Sequence, residues 1–380
     1  MKDPALKNLA GLKPGQILLH IGVHKTGTTA IQDAFARNRG LLTTLGVSYP
    51  GTGQAHRNLA SSVMQRPLGW RTGGAQLPDP ELWSDFLDEA KKFEGITVCS
   101  SEFFAESTDD VAQRIVDQIG INNVHVVITL RNFGKILPSA WQQILKSGYE
   151  FGYVHWLTNV LSGTDLEPKS QVFWTRHRHD EVVTRWAKIV GPKKVTVVVV
   201  DDSKRDSIFR DFESLLGIAP KTLSSNQGIN LNRSMTLAEA ELIRRVNEHV
   251  GGGKGWKPYS DEVHDGLIKA MVEGRVPDAD EPQLQTPQWA LDVAARHAAT
   301  YVAAIKASEV NVMGDLELLG AHLKGPIEVS DTAVKDIALD AAVAAILGAI
   351  GDRTVTTAPP TISTLFKGKA SKLRRNLAGK

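Results

Sequence analysis

A single cysteine in 380 residues, Cys99, rules out an intrachain disulfide framework. It closes the apolar run Ile96 to Cys99 and reads as a buried small hydrophobe, which suits a reducing compartment. Charge of one sign is lacking too. Forty-four Lys and Arg against 42 Asp and Glu leave a net charge of +2, too weak a field to draw nucleic acid to the whole surface, so partners have to be argued from local sites. Long apolar runs are absent. No window approaches the roughly 20 uninterrupted apolar residues of a membrane span, and the best stretch, Ala338 to Ile350, is broken by Asp340. Met1 to Gly15 lacks the apolar segment of a secretory signal, so a cytoplasmic protein is expected. No internal repeat is visible.

What is present is a β/α alternation. Ile17 to Ile21, Ile96 to Ser100, Val124 to Leu130 and Val195 to Val200 are short, largely β-branched runs of the kind buried on both faces of a parallel sheet. Helical patterns fall between them at Asp109 to Ile119, Trp141 to Lys146, Val182 to Val190 and Ser207 to Leu216. This predicts an α/β protein, a three-layer α/β/α core with a central parallel sheet over residues 1–225. Pro50 to Pro80 and Tyr153 to Arg178 read as irregular insertions. After Gly228 the pattern is helical, at Thr236 to His249, Asp261 to Glu273 and Gln288 to Lys306, with no further strand. Residues 226–325 are thus expected as a helical extension completing the site, and 326–380 as a helical segment with a mobile basic tail.

The first strand runs into Gly22-Val23-His24-Lys25-Thr26-Gly27-Thr28-Thr29, and a helical pattern follows directly. Glycines let the backbone bend around an anion. The helix N-terminus, the Thr28 and Thr29 hydroxyls and the Lys25 ammonium can then converge on one phosphate-sized charge. A Walker A loop needs Lys immediately before the Ser/Thr that holds Mg²⁺; here Lys25 stands earlier and Gly27 separates the threonines.

In these residues the chain resembles the sulfotransferases that use 3′-phosphoadenosine 5′-phosphosulfate (PAPS), whose 5′-phosphosulfate loop reads K-[ST]-G-T-[ST] between the first strand and helix. The resemblance implies that Lys25 meets the bridging oxygen and the sulfuryl group, while Thr26, Gly27, Thr28 and Thr29 hold the 5′-phosphate. It also implies a P-loop-NTPase-like core and PAPS as donor. The family's second motif is an arginine at a strand end with a serine eight positions later, and Arg131 and Ser139 reproduce it, implying a 3′-phosphate site. Independently, an arginine at the carboxyl end of a parallel strand lies where open α/β sheets bind ligands. Such an arginine also often serves only as the partner of an Asp or Glu. Pro138 suits a first helical turn, which would place Ser139 among unpaired N–H groups. The family's third contact, a late basic triplet, is missing; Arg233 in Asn230-Leu231-Asn232-Arg233-Ser234 is the substitute.

Moving SO₃ to a hydroxyl requires a proton acceptor. Glu102, after the strand ending Cys99-Ser100-Ser101 and before Phe103-Phe104, is the favoured base, with partly apolar surroundings expected to raise its pKa. His56 in the segment after the first helix is the second candidate. The chemistry requires no metal, and His177 and His179 in Arg176-His177-Arg178-His179 read as an exposed polar stretch. A small-molecule, carbohydrate or glycolipid hydroxyl is the expected acceptor, with Trp70, Trp83, Trp256 and Tyr259 as candidate stacking surfaces. The tail Lys367 to Lys380, with Lys367, Lys369, Lys372, Arg374, Arg375 and Lys380, suits peripheral contact with an anionic membrane. Two alternatives compete: a P-loop phosphotransferase using Asp201 or Asp202 on magnesium, and a non-catalytic nucleotide-binding scaffold.

Overall fold

The computed structural model describes residues 11–68, 77–163, 168–204, 206–224, 233–250, 256–329 and 334–350. Six strands form one sheet: β1 Ile17–His20, β2 Val47–Ser48, β3 Ile96–Ser100, β4 Val124–Leu130, β5 Val195–Val199 and β6 Asn311–Met313. Their order is β2-β3-β1-β4-β5-β6 and every neighbouring pair is parallel. The sheet runs with α1 Thr28–Arg37, α2 Arg39–Thr44, α3 Arg57–Met64, α4 Glu81–Lys92, α5 Asp109–Ile119, α6 Phe133–Leu145, α7 Tyr153–Ser162, α8 Pro168–His177, α9 His179–Val190 and α10 Ser207–Leu216. Later come α11 Leu237–Val250, α12 Trp256–Tyr259, a π-helix Ser260–Ile268, α13 Lys269–Gly274, α14 Gln288–Ala307 and α15 Leu339–Ala349.

Strand residues alternate between two apolar cores, which makes the three layers. Leu18, Val98, Val127 and Val198 point to one face and pack on Ile31, Ala34 and Phe35 of α1 and on Phe209, Phe212 and Leu215 of α10. Leu19, Cys99, Val126 and Val197 point to the other, against Ile115 of α5, Trp186 of α9 and Ile305 of α14. Because α1 leaves β1 for one face while α5 lies on the other, the chain parts at the carboxyl edge beside β1 and β3. That is the place where open parallel sheets form a binding crevice.

The chain divides into two compact units. One comprises residues 1–141, 151–229 and 285–331; the other comprises 142–150, 230–284 and 332–380. The expected helical extension is therefore not continuous: residues 285–331 return to the sheet unit and contribute β6, paired with β5 from Thr196↔Asn311 to Val198↔Met313. Three-residue β6 and two-residue β2 are too short to leave a periodic signal. The two stretches expected to be irregular contain α3, α7 and α8. In the second unit α15 packs on the π-helix and α13, its backbone meeting Gly266 at Gly348, where a Cβ on either glycine would strike the opposite carbonyl. Among the described residues no helix is long and apolar enough to cross a membrane.

Candidate functional site

The loop after β1 is tethered before it turns. Val23 N–H donates to Thr129 O at 3.0 Å and Thr129 N–H to Gly22 O at 2.6 Å, so β4 pairing continues past His20. Gly22 and Gly27 take φ of 90° and 85°, and Lys25 itself adopts φ 64°. A left-handed lysine costs on the order of 1–3 kcal/mol and persists only where its surroundings over-determine it. Gly27 is the N-cap of α1 and no side chain caps that helix, while Ala30 N–H and Ile31 N–H turn back to Gly27 O at 3.1 and 3.3 Å. Lys25 is half-buried, Thr28 is buried, and Gly27 and Thr29 are exposed. The hydroxyl of Thr26 departs from the expected role. It is fully buried, donates to Val23 O at 2.7 Å and lies 2.7 Å from Thr129 Oγ1, so this threonine ties the loop to the sheet rather than offering a hydroxyl to a ligand.

Glu102 stands directly against this loop. It opens a 3₁₀ turn, Glu102–Glu106, at the end of β3, and a Cβ on Gly22 would lie 2.7 Å from Glu102 Cα and 2.8 Å from its Cβ. Gly22 thus serves both the turn and the close approach. Gln32 Nε2 of α1 donates to Glu102 Oε2 at 3.1 Å and to Ser100 Oγ at 3.3 Å. Burial alone would raise the Glu102 pKa, as expected from sequence. The nearby His24, the residue's own backbone N–H, the Gln32 amide and His20 outweigh burial and hold the carboxyl below its ordinary value. The expectation of a raised pKa is thereby corrected: Glu102 is ionised at neutral pH.

His56 is otherwise engaged. Its Nδ1 accepts from Ser100 N–H at 2.9 Å and its Nε2 donates to Pro50 O at 2.9 Å, while its backbone N–H donates to Ser100 O. Burial pushes its pKa down to about 4. With both ring nitrogens committed, the imidazole is a clamp between β3 and the segment before α3 and has no lone pair for a substrate proton.

Arg131 follows β4, and Asp202 follows β5. Arg131 Nε and Nη2 reach the two Asp202 oxygens at 3.0 and 2.7 Å, and Lys135 Nζ lies 3.1 Å from Oδ2. The carboxylate takes one edge of the guanidinium, whose five N–H donors keep a second edge for another anion. Helix α6 starts at Phe133, with Gly134 N–H donating to Asn132 Oδ1 at 3.0 Å. Pro138 is inside the helix, not in its first turn, and Ser139 Oγ donates to Ile136 O at 2.8 Å. The expected placement of Ser139 among unpaired N–H groups is corrected accordingly.

Arg233 belongs to the second unit. There its Nη1 and Nη2 grip both oxygens of fully buried Glu239 at 2.7 Å. Trp83 is core, with Nε1–H donating to Gln118 Oε1 at 2.8 Å, and Tyr259 is buried with its hydroxyl on Asn247 Oδ1 at 2.7 Å. Neither is a stacking platform. Trp70, the Trp256 side chain, the loop residues Asn230, Leu231 and Asn232, and the tail from Thr354 to Lys380 lie outside the described residues.

Several residues that matter here were not singled out from sequence. Glu106, one turn beyond Glu102, collects His24 Nε2 at 2.9 Å, Arg66 Nη2 at 2.8 Å and Arg176 Nε at 2.9 Å. These partners overcome its burial and drive its pKa far down. His24 adjoins Lys25, so Glu106 anchors the loop from its other side. His177 and His179 are buried, correcting the exposed stretch expected there: the His179 ring meets Phe133 at the start of α6 and Tyr301 of α14, and burial lowers both pKa values, that of His179 to about 4. His20 and Gln32 complete a chain of hydrogen bonds beneath the loop. A histidine inside the apolar run of β1 was the available signal, since a buried polar group demands partners. Among the described residues no group of three or more His, Cys, Asp or Glu is placed to hold a metal ion.

No protein-family model and no curated protein matches this chain. Among solved structures, a crystal structure of a sulfotransferase from Alicyclobacillus acidocaldarius is similar, with 16% identity and a TM-score of 0.41, covering 62% of this chain and 93% of that one.

Proposed function

We propose that this chain is a sulfotransferase that moves the sulfuryl group of PAPS to a hydroxyl of a carbohydrate, glycolipid or other small acceptor. The observation that carries the reading is an ionised carboxylate, Glu102, packed against the first glycine of a loop whose strained lysine and uncapped helix start favour anions. Beside a cradle for negative charge, a carboxylate repels the ligand and has to be explained. A base for the attacking hydroxyl explains it.

In this reading Lys25 and the backbone of residues 26–29 hold the 5′-phosphosulfate, and Arg131 holds the 3′-phosphate, whereas Ser139 is left out because its hydroxyl hydrogen is committed to Ile136 O. The acceptor oxygen forms its bond to sulfur as the bond from sulfur to the bridging oxygen breaks. The hydroxyl proton passes to Glu102, and the charge left on the bridging oxygen is met by Lys25. Arg233 is left out, because its fork is filled by Glu239. Asp202 is the built-in partner of Arg131 and fixes the plane of the guanidinium.

Calorimetric titration tests the donor assignment. The protein should bind 3′-phosphoadenosine 5′-phosphate at least ten times more tightly than ATP, because only the former presents a 3′-phosphate to Arg131. Equal affinity for the two would overturn the assignment.

A further inference from the structure

His20 is the last residue of β1 and is opposite Ser100 on β3, with Val127 of β4 on its other side. It is fully buried on the face that carries α1 and α10, its ring edge-on to Phe212 at 5.1 Å. Its Nδ1 lies 2.8 Å from Ser100 Oγ and its Nε2 lies 3.2 Å from Thr129 Oγ1. Each hydroxyl owns one hydrogen, and that fixes every direction in the chain.

Thr26 Oγ1 spends its hydrogen on the carbonyl of Val23, an acceptor only. The short contact between Thr26 and Thr129 must then be donated by Thr129. With its hydrogen spent, Thr129 can only accept from His20, so His20 carries its proton on Nε2. Nδ1 is left as an acceptor, and Ser100 donates to it. Ser100 then accepts from the Gln32 amide, whose second N–H goes to Glu102. The sequence of donors is complete from the carboxylate to the loop, with no polar atom of His20 left over. Burial lowers the His20 pKa to about 4, so the ring is neutral at physiological pH and can serve both arms.

We propose that His20 is a positioning residue that couples the proposed base to the proposed donor loop, as the neutral tautomer protonated on Nε2. One arm, through Ser100 and Gln32, aims the Glu102 carboxylate. The other, through Thr129 and Thr26, holds the loop that carries Lys25. The inference rests on the sulfotransferase reading for what the arms accomplish, but not for the chain itself.

Two variants separate the arms. The side-chain oxygen of Asn takes the place of Nδ1 but does not reach Thr129, whereas the amide N–H of Gln takes the place of Nε2 and offers nothing to Ser100. His20→Asn should weaken binding of 3′-phosphoadenosine 5′-phosphate about 10-fold with kcat at saturating donor changed less than about 3-fold. His20→Gln should lower kcat by about 10- to 100-fold, the range for residues that orient a site through another group, with nucleotide affinity changed less than about 3-fold. Equal losses of both quantities in both variants would reduce His20 to a core residue and overturn the proposal. Long-range ¹H–¹⁵N spectra of the wild-type protein labelled on histidine nitrogens, with the His20 signals identified by their loss in either variant, need neither donor nor activity. They should show His20 protonated on Nε2 alone. A proton on Nδ1, or on both nitrogens, at neutral pH would refute the chain. If the spectra agree while the protein neither binds the nucleotide nor transfers sulfuryl, the sulfotransferase reading fails and the coupling of base to donor loop falls with it, while the hydrogen-bonded chain stands.

Discussion

Replacing Gly22 by Ala tests the contact on which the site is built. At φ 90° an alanine carries the left-handed penalty of about 1–2 kcal/mol. The added methyl would also sit 2.7 Å from the Cα and 2.8 Å from the Cβ of Glu102, so the backbone at the end of β3 must retreat. Overpacking of that kind costs about 1–3 kcal/mol, for a total near 2–5 kcal/mol. Gly27 is the control. Its φ is 85°, but a Cβ there would meet only the flexible Cδ1 of Ile208 at 3.3 Å, so Gly27→Ala should lose about 1–2 kcal/mol, the backbone share alone. Urea unfolding followed by tryptophan fluorescence compares the two through their midpoints at constant m. Because the extra cost of Gly22→Ala arises from displacing Glu102, its kcat should also fall further than that of Gly27→Ala. Equal stabilities for the two variants would show that Glu102 does not pack on the loop.

Arg131→Ala should weaken binding of 3′-phosphoadenosine 5′-phosphate by about 2–4 kcal/mol, since it removes the charged partner of a phosphate and leaves the Asp202 carboxylate facing it; an unchanged dissociation constant in calorimetry would refute its role. Glu106→Gln leaves Arg66 and Arg176 without their counter-charge and should cost about 3 kcal/mol or more in denaturant unfolding, whereas a neutral effect would mean that Glu106 does not anchor the loop. The pKa values of His20, His56 and His179 are lowered from 6.5 to about 4 by burial, so the unfolded chain takes up protons first as pH falls. The histidines should therefore lower stability between about pH 6.5 and 4, by up to about 3 kcal/mol each, and below that range Glu102, Glu106 and Asp202, whose carboxyls are held below their ordinary values, continue the decline; a flat profile between about pH 6.5 and 4 would contradict burial of the histidines in the neutral form.

The sheet was legible because β3, β4 and β5 are β-branched runs long enough to stand out, and the loop because its strand, glycines and lysine occur together. β2 and β6 were not, since two or three residues carry no period. Helices α3, α7 and α8 were hidden by flanking Gly and Pro that mark turns without excluding a helix between them. At the site, residue types were readable but hydrogen-bond commitments were not. Nothing local to His56 shows that Ser100 and Pro50 occupy both its nitrogens, and nothing local to Arg131 shows Asp202, 71 positions away, on its guanidinium. The direction of the Glu102 pKa shift was missed for the same reason, because apolar neighbours in sequence gave way to Gln32, His24 and His20 in space.

The central claim is tested most directly by following transfer of ³⁵S from labelled PAPS to a panel of hydroxyl acceptors, with the wild-type protein, Lys25→Ala and Glu102→Gln side by side. The wild type should produce a labelled acceptor without added metal. Lys25→Ala should lower turnover by about 10²- to 10³-fold, far more than it weakens nucleotide binding. Glu102→Gln should bind nucleotide at least as tightly as the wild type, since a like charge is removed, and lose the rise of rate with pH. Release of phosphate from ATP in the presence of magnesium, with no transfer of label from PAPS to any acceptor, would contradict the account.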